Sequence, residues 1–282
     1  MSAPKLVREI PAARWSHGAR SGRVAMVPTM GYLHEGHVSL MRAARARADK
    51  VVVSIFVNPL QFGPKEDFAS YPRDLDGDLA KCAAAGVDEV FHPEAQDFYP
   101  PGFQTAIEVS EVSQGLCGAR RPGHFRGVAT VVYRLFQMVQ PDVAFFGEKD
   151  FQQLRVLQRM TADLGLPIEV VGCPIVREAD GLAMSSRNSY LSPEERVRAL
   201  ALSRGLRAAS AAFAAGEREA ERLVALCRDS LRAADVREDY VELCDPTTLK
   251  PVSRAEADSR LLVAAFVGKT RLIDNLAVGQ PR

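Results

Sequence analysis

Val24-Ala-Met-Val-Pro-Thr-Met-Gly-Tyr-Leu-His-Glu-Gly-His37 carries an apolar run into a proline and then into two histidines separated by two residues. This order reads as strand, tight turn and helix start. A helix N-terminus leaves its first N–H groups without intrahelical partners and carries the positive end of the macrodipole, so it is a natural seat for phosphate. Gly31 and Gly36 permit a positive φ or close approach of backbone to a ligand, and His34 and His37 would share one helical face. One histidine in a loop is ordinary. Two of the chain's five, within four residues of each other after a strand and flanking Gly36, point to a nucleotide site.

Outward from this stretch, short β-branched runs alternate with longer helical patterns. Strands are expected at Val24 to Val27, Val51 to Val57, Val87 to Phe91, Val143 to Phe146 and Ile168 to Val171. Helices are expected at Val38 to Ala48, Leu75 to Ala85, Val128 to Val139 and Phe151 to Leu164. Such alternation predicts right-handed βαβ units and an α/β, Rossmann-like doubly wound parallel sheet. In these sheets ligands bind beyond the carboxyl ends of the strands, where the strand order switches direction. Three polar segments follow expected strands in this way: Pro28 to His37, Asn58 to Gln61 and Gly147 to Asp150.

The pattern changes after about Val176. Ser192-Pro-Glu-Glu195 combines a cap residue, a proline at the first helical position and a glutamate at the third, which predicts a long helix toward Ala215, ended by Gly216. A second helix at Glu219 to Ala233 precedes strand-like Tyr240 to Leu243, Leu261 to Val267 and Thr270 to Ile273. Residues 1–175 are therefore expected to form a nucleotide- and acid-binding Rossmann-like domain. Residues 176–282 are expected to form a smaller α+β domain closing over the site.

Four further blocks carry polar chemistry. Val51 to Gly63 runs from a strand into the amides of Asn58 and Gln61, which offer donor and acceptor without charge; an asparagine–proline turn explains the same string. Arg120-Arg-Pro-Gly-His-Phe-Arg126 is either a solvated basic loop or a guanidinium cluster for a leaving pyrophosphate. Phe146-Gly-Glu-Lys-Asp-Phe-Gln-Gln153 sets Lys149 and Asp150 at a strand-to-helix corner, where Lys149 is a mobile charge for phosphate and Asp150 a cap or a ribose contact. Met184-Ser-Ser-Arg-Asn-Ser-Tyr-Leu191 offers two hydroxyls and an arginine.

Pro28-Thr-Met-Gly-x-Leu-His-x-Gly-His37 resembles the signature of the pantothenate synthetases (pantoate–β-alanine ligases), within the HxGH nucleotidylyltransferase superfamily that includes the class I aminoacyl-tRNA synthetases. HxGH alone identifies the superfamily; the longer string and the four other blocks identify the family. The resemblance covers nearly the whole chain, most strongly from Val24 to Leu191, and the motif residues show no departure. It implies that ATP meets Met30, Gly31, Tyr32, Leu33, His34, Glu35, Gly36 and His37, although Tyr32 and Glu35 occupy positions the pattern leaves open. It assigns Gly147, Glu148, Lys149 and Asp150 to the nucleotide as well, with the backbone of Val176 at adenine. Met184, Ser185, Ser186 and Arg187 stand where the synthetases have a phosphate-clamping serine/lysine loop. Pantoate and β-alanine fall to Gln61, Gln153 and Asn58, with Arg121 and His124 beside them. His34, His37, Lys149 and Arg187 form the implied catalytic set.

The implied reaction is the ATP-dependent condensation of (R)-pantoate with β-alanine through a pantoyl adenylate, releasing AMP and pyrophosphate in pantothenate biosynthesis. Magnesium would bridge phosphates, with few or no dedicated protein ligands. The resemblance also implies a homodimer. Rival readings are an HxGH transferase that stops at the nucleotidyl product and a non-catalytic nucleotide sensor.

Composition narrows the remaining classes. The apolar fraction is 47% and the charged fraction 25%, ordinary for a soluble globular protein. Lys+Arg 36 against Asp+Glu 35 provides no global field for nucleic acid or an anionic membrane. The five cysteines are odd in number, widely spaced and lack a C-x-x-C pair, which disfavours disulfides and zinc and fits a reducing cytoplasm. The N-terminal Met1 to Arg8 has no long apolar segment, and no membrane span is expected.

Overall fold

The computed structural model describes residues 3–10, 22–64 and 66–280, so Met1 and Ser2 of the N-terminal stretch read above lie outside the described residues. The chain folds as two compact units. The first comprises Met1–Ser113, Arg121–Glu148 and Gln153–Pro174; the second comprises Gln114–Arg120, Lys149–Gln152 and Ile175–Arg282. The expected division at 175/176 is therefore incomplete, because two short inserts belong with the C-terminal residues. The two inserts are tied to each other by polar bonds: the buried Gln152 amide accepts the Cys117 N–H at 3.0 Å and donates to the Gly115 carbonyl at 2.9 Å.

The first unit holds β1 (Lys5–Val7), β2 (Val24–Thr29), α1 (Glu35–Arg45), β3 (Lys50–Ile55), α2 (Leu75–Ala84), β4 (Glu89–Phe91) and α3 (Ala95–Phe98). After α4 (Leu116–Arg120), which belongs to the second unit, follow α5 (His124–Val139), β5 (Val143–Gly147), α6 (Phe151–Asp163) and β6 (Glu169–Cys173). Strand order is β1-β4-β3-β2-β5-β6, every pair parallel. From β2 the chain winds one way to β3 and β4, then returns to the other side for β5 and β6. The switch point lies between β2 and β5, paired through Ala25↔Val143 and Met26↔Ala144. This is the doubly wound sheet expected, with β1 as an added edge strand.

The apolar runs became strands because both faces of the sheet are covered, as an all-parallel sheet requires. Val24, Ala25, Met26 and Val27 are all buried, as are Val51, Val52 and Val53 beside them. Met26 and Met41 are fully enclosed, and each such side chain contributes about 2 kcal/mol of apolar burial. β2 continues two residues past its expected end at Val27, and Pro28 pairs opposite Ser54. The ladder to β5 has already stopped at Met26, so the missing proline N–H disrupts little. β3 ends two residues before the expected Val57, and three helices begin or end earlier than periodicity alone suggests. α1 starts at Glu35, α5 at His124, and α6 stops at Asp163.

The second unit packs α7 (Pro193–Ala214) and α8 (Ala220–Ala233) on an antiparallel sheet of β7 (Arg237–Cys244), β8 (Arg260–Val267) and β9 (Thr270–Ala277), in the order β7-β8-β9. The Ser192/Glu195 capping box forms as read, with Pro193 at the first helical position. All five cysteines are free and buried. Burial pushes the Cys82, Cys227 and Cys244 thiols up to about 12, so they remain protonated. Among the described residues no helix is long and apolar enough to cross a membrane.

Candidate functional site

β2 ends at Thr29, whose hydroxyl donates to the Ser54 carbonyl at 2.7 Å and accepts the Gly31 N–H at 3.2 Å. The chain then leaves the sheet through two left-handed residues, Gly31 (φ +86) and Tyr32 (φ +50). Gly31 is required twice over, since a Cβ there would meet Ile55 Cγ2 at 2.9 Å and Asp78 Oδ2 at 3.0 Å. Asp78, on α2 and almost fully enclosed, accepts the Tyr32 N–H at 2.8 Å and the Leu33 N–H at 2.6 Å. Burial pushes its carboxyl up from the ordinary range, and the two backbone donors pull it down. Sequence reasoning missed Asp78.

His34 is the N-cap of α1 and His37 its third residue. The His37 Nδ1 accepts the His34 backbone N–H at 3.3 Å, and the two rings lie 4.1 Å apart at 38°. An Nδ1 that accepts carries no proton, so the geometry assigns His37 the neutral tautomer with N–H on Nε2. The expected helix start at Val38 moves back to Glu35 because these histidines are the cap. Gly36 sits in the first helical turn, and the Glu35 side chain pairs with Arg42 at the surface. Leu33 is buried, so Leu33 and Glu35 present backbone at this corner.

After β3, Asn58 caps a 3-10 turn at Pro59–Gln61. Its Oδ1 accepts from Leu60 N–H at 3.2 Å and from the Tyr99 hydroxyl at 2.9 Å. Its Nδ2 donates to Gln61 Oε1 at 3.1 Å and to the Gly127 carbonyl at 3.2 Å. The amide of Asn58 is thus engaged at both its oxygen and its nitrogen, and it supports Gln61. Gln61 Nε2 points to Met30 Sδ at 3.0 Å, bringing the second strand end to the first. Helix α5 abuts this turn at Gly127, where a Cβ would fall 2.2 Å from the Leu60 carbonyl oxygen.

Arg121 and His124 are likewise committed to protein. Arg121 forms a two-pronged pair with Glu66 at 2.6 and 2.7 Å, and also donates to Gln61 O at 3.3 Å and His124 Nε2 at 2.9 Å. Four of its guanidinium N–H groups are thus engaged. His124 Nδ1 meets the Gln61 carbonyl at 2.9 Å, and since a carbonyl only accepts, Nδ1 carries the proton. Burial alone would raise the Glu66 carboxyl, yet the Arg121 guanidinium holds it down at about 2. Arg121 and His124 therefore brace the backbone of Gln61. Glu66 and Tyr99 were not found from sequence; no local spacing links them to the motifs they support.

β5 closes the switch point at Gly147, followed by a 3-10 turn at Glu148–Asp150 and then α6. Gly147 and Glu148 belong to the first unit, as does the half-buried Gln153.

In the second unit, Lys149 Nζ lies 3.1 Å from Asp150 Oδ2. Val176 begins a tight loop: its carbonyl accepts the Met184 N–H at 3.0 Å, and Arg177 bridges Ala183. Ser185 caps a 3-10 turn at Ser186–Tyr190 by accepting the Arg187 N–H at 3.3 Å. Asn188 ties the turn back, donating to Glu178 at 2.7 Å and to the Ala183 carbonyl at 3.1 Å. Among the described residues, no group of three or more His, Cys, Asp and Glu side chains gathers at metal-binding spacing.

Comparison with known proteins places this geometry. The family model described as pantoate-beta-alanine ligase matches residues 3–277. The chain is 59% identical to the pantothenate synthetase of Myxococcus xanthus over 98% of its length and 97% of that protein. It is 58% identical to that of Anaeromyxobacter dehalogenans over 98% and 99% of the two chains. Among solved structures, pantothenate synthetase from Thermus thermophilus superposes with TM-score 0.91 at 47% identity, covering 97% of this chain and 99% of that one. The pantoate-beta-alanine ligase of Francisella tularensis, complexed with beta-gamma ATP and beta-alanine, gives TM-score 0.81 at 30% identity over 99% of each chain.

Proposed function

This chain belongs to the pantoate–β-alanine ligase family, and from that premise we propose how its own residues carry the ATP-dependent condensation of pantoate with β-alanine. The reaction is amide formation by an AMP-forming ligase. A carboxylate is a poor electrophile, so the pantoate carboxylate attacks the α-phosphorus of ATP, pyrophosphate leaves, and pantoyl adenylate forms. The β-alanine amine then attacks the acyl carbon, losing a proton as AMP departs.

The observation that carries the assignment of roles is the pair His34 and His37 at the N-terminus of α1, at the end of β2 beside the switch point. The helix end supplies N–H groups and positive potential for the triphosphate. The Nε2 proton of His37 supplies a fixed donor to a phosphate oxygen. Its Nδ1 bond to His34 supports a donor role for His37 in preference to an acid that cycles its proton.

Nucleotidyl transfer asks a protein mainly for positioning and charge stabilisation. Lys149, Ser185, Ser186 and Arg187 hold phosphate oxygens through the transition state, and the Val176 backbone meets adenine. Gln61 and Gln153 address pantoate and β-alanine, with Asn58, Arg121 and His124 fixing Gln61. Magnesium bound with the triphosphate would supply neutralisation of its charge.

A homodimer and a cytoplasmic location complete the proposal, the latter supported by five buried free thiols; sedimentation tests the dimer. The reaction itself is tested by incubating the purified chain with ATP, magnesium, D-pantoate and β-alanine, omitting each in turn. Pantothenate and AMP should appear only in the complete mixture. A stable nucleotidyl product with pyrophosphate and no free AMP, even with β-alanine present, would point to a transferase that stops at the first step.

A further inference from the structure

We infer that Asp274 and Asn275, consecutive residues of β9, are positioning residues that fix two nucleotide-side segments, the Lys149 corner and the Val176 loop, to one strand. The inference rests on the proposed nucleotide role of Lys149 and of the loop that ends in Arg187.

Both side chains are buried, at 4% and 2% exposure, in a strand where apolar residues would pack at least as stably. Successive residues of a strand point to opposite faces, and the register, Asp274 opposite Val263 and Asn275 opposite Leu262, separates them. Asp274 projects to the face carrying Leu272 and Val263, which pack with the helices α7 and α8. There it takes the Arg177 guanidinium through two bonds, 2.7 and 2.9 Å. Arg177 also donates to the Gly181 carbonyl at 3.1 Å, so one ion pair sets both arms of the Val176–Met184 loop.

Asn275 projects to the other face. Its Nδ2 donates to the Lys149 carbonyl at 3.0 Å, and its Oδ1 accepts from Arg260 Nε at 2.7 Å. The Arg260 guanidinium in turn covers the Phe151 ring at 4.1 Å. The backbone of Lys149 and the first residue of α6 are thus both held from the same amide. A lysine's long stem delivers its charge accurately only if its own backbone is fixed. Asn275 supplies that fixation, and Asp274 does the same for the loop leading to Ser185, Ser186 and Arg187.

Asn275→Asp tests this, because it keeps the size and the acceptor for Arg260 while turning the donor toward Lys149 into an oxygen. In pantoate-dependent ATP–pyrophosphate exchange, KM for ATP should rise roughly ten-fold, the worth of one good hydrogen bond, with KM for pantoate unchanged. Asp274→Asn should show the same selective rise, and it decides the matter if Asn275→Asp fails to fold. Parental KM for ATP in both variants overturns the inference. Equal rises in both KM values with a lowered melting temperature overturn it too, since they mark a merely structural role. Lys149→Ala separates the underlying reading: normal exchange in that variant removes Lys149 from the nucleotide site, whatever the β9 variants do.

Discussion

The backbone N–H of His34 donates to Nδ1 of His37 at 3.3 Å, so the motif histidines cap the helix on which they stand. One imidazole therefore has two separable duties. Its Nδ1 closes the helix end, and under the proposed function its Nε2 proton serves the triphosphate.

Substitution at His37 should divide these duties. Asparagine places its amide oxygen near the Nδ1 position, so His37→Asn should keep the cap and change stability by no more than ~0.5 kcal/mol. It lacks the Nε2 donor, and pantoate-dependent ATP–pyrophosphate exchange should fall by at least ~100-fold. His37→Ala should lose both. Exchange and thermal unfolding measured together check this, and an active His37→Asn would remove the donor role.

Asp78→Ala should orphan the Tyr32 and Leu33 N–H groups behind the histidines. Two buried unsatisfied donors cost on the order of 2–4 kcal/mol, and the loop that orients His34 loses its anchor. Urea unfolding should register the loss, and kcat should fall in the fraction that remains folded. A variant with parental stability and kcat would show that the loop holds its own shape.

The Glu66–Arg121 pair predicts an acid limb in stability. The Glu66 carboxyl falls from an ordinary 4.5 to about 2 on folding. A depressed pKa adds stability that is fully present above the unfolded value and lost as pH falls through the folded one, so the window runs from 4.5 down to about 2. The group is partly solvated, and the contribution is on the order of 1 kcal/mol. Denaturant midpoints measured across that range should decline in the parent and decline less in Glu66→Gln.

Gly127→Ala should damage the Pro59–Gln61 turn through contact alone. The new methyl would meet the Leu60 carbonyl oxygen at 2.2 Å and the Gln61 nitrogen at 2.7 Å, both backbone atoms that cannot swing aside. Displacement of the turn should raise KM for pantoate and cost roughly 1–3 kcal/mol of stability. Gln61→Ala should weaken pantoate by titration while leaving the turn in place, which distinguishes a lost contact from a shifted one.

Much of the local geometry around the candidate site was legible before folding because its signals are local. His34 and His37 are three apart and share one helical turn, the apolar runs encode their own strands, and Ser192 to Glu195 encodes a cap that forms as written. Asn58, Arg121 and His124 have internal partners that were not legible. As residue types they suit a ligand, and only their neighbours reveal that Tyr99, Gly127, Glu66 and the Gln61 carbonyl already satisfy them.

The sequence by itself determined the element types, the parallel architecture and the family, because periodicity, capping and motif spacing act over a few residues. Tertiary structure alone decided what holds the motifs in place. Asp78 reaches Leu33 across 45 residues, Arg121 reaches Glu66 across 55, and Asn275 reaches Lys149 across 126. Such pairs depend on which strands and helices become neighbours. That choice follows from burying the apolar faces of the whole chain at once, and no local pattern contains it.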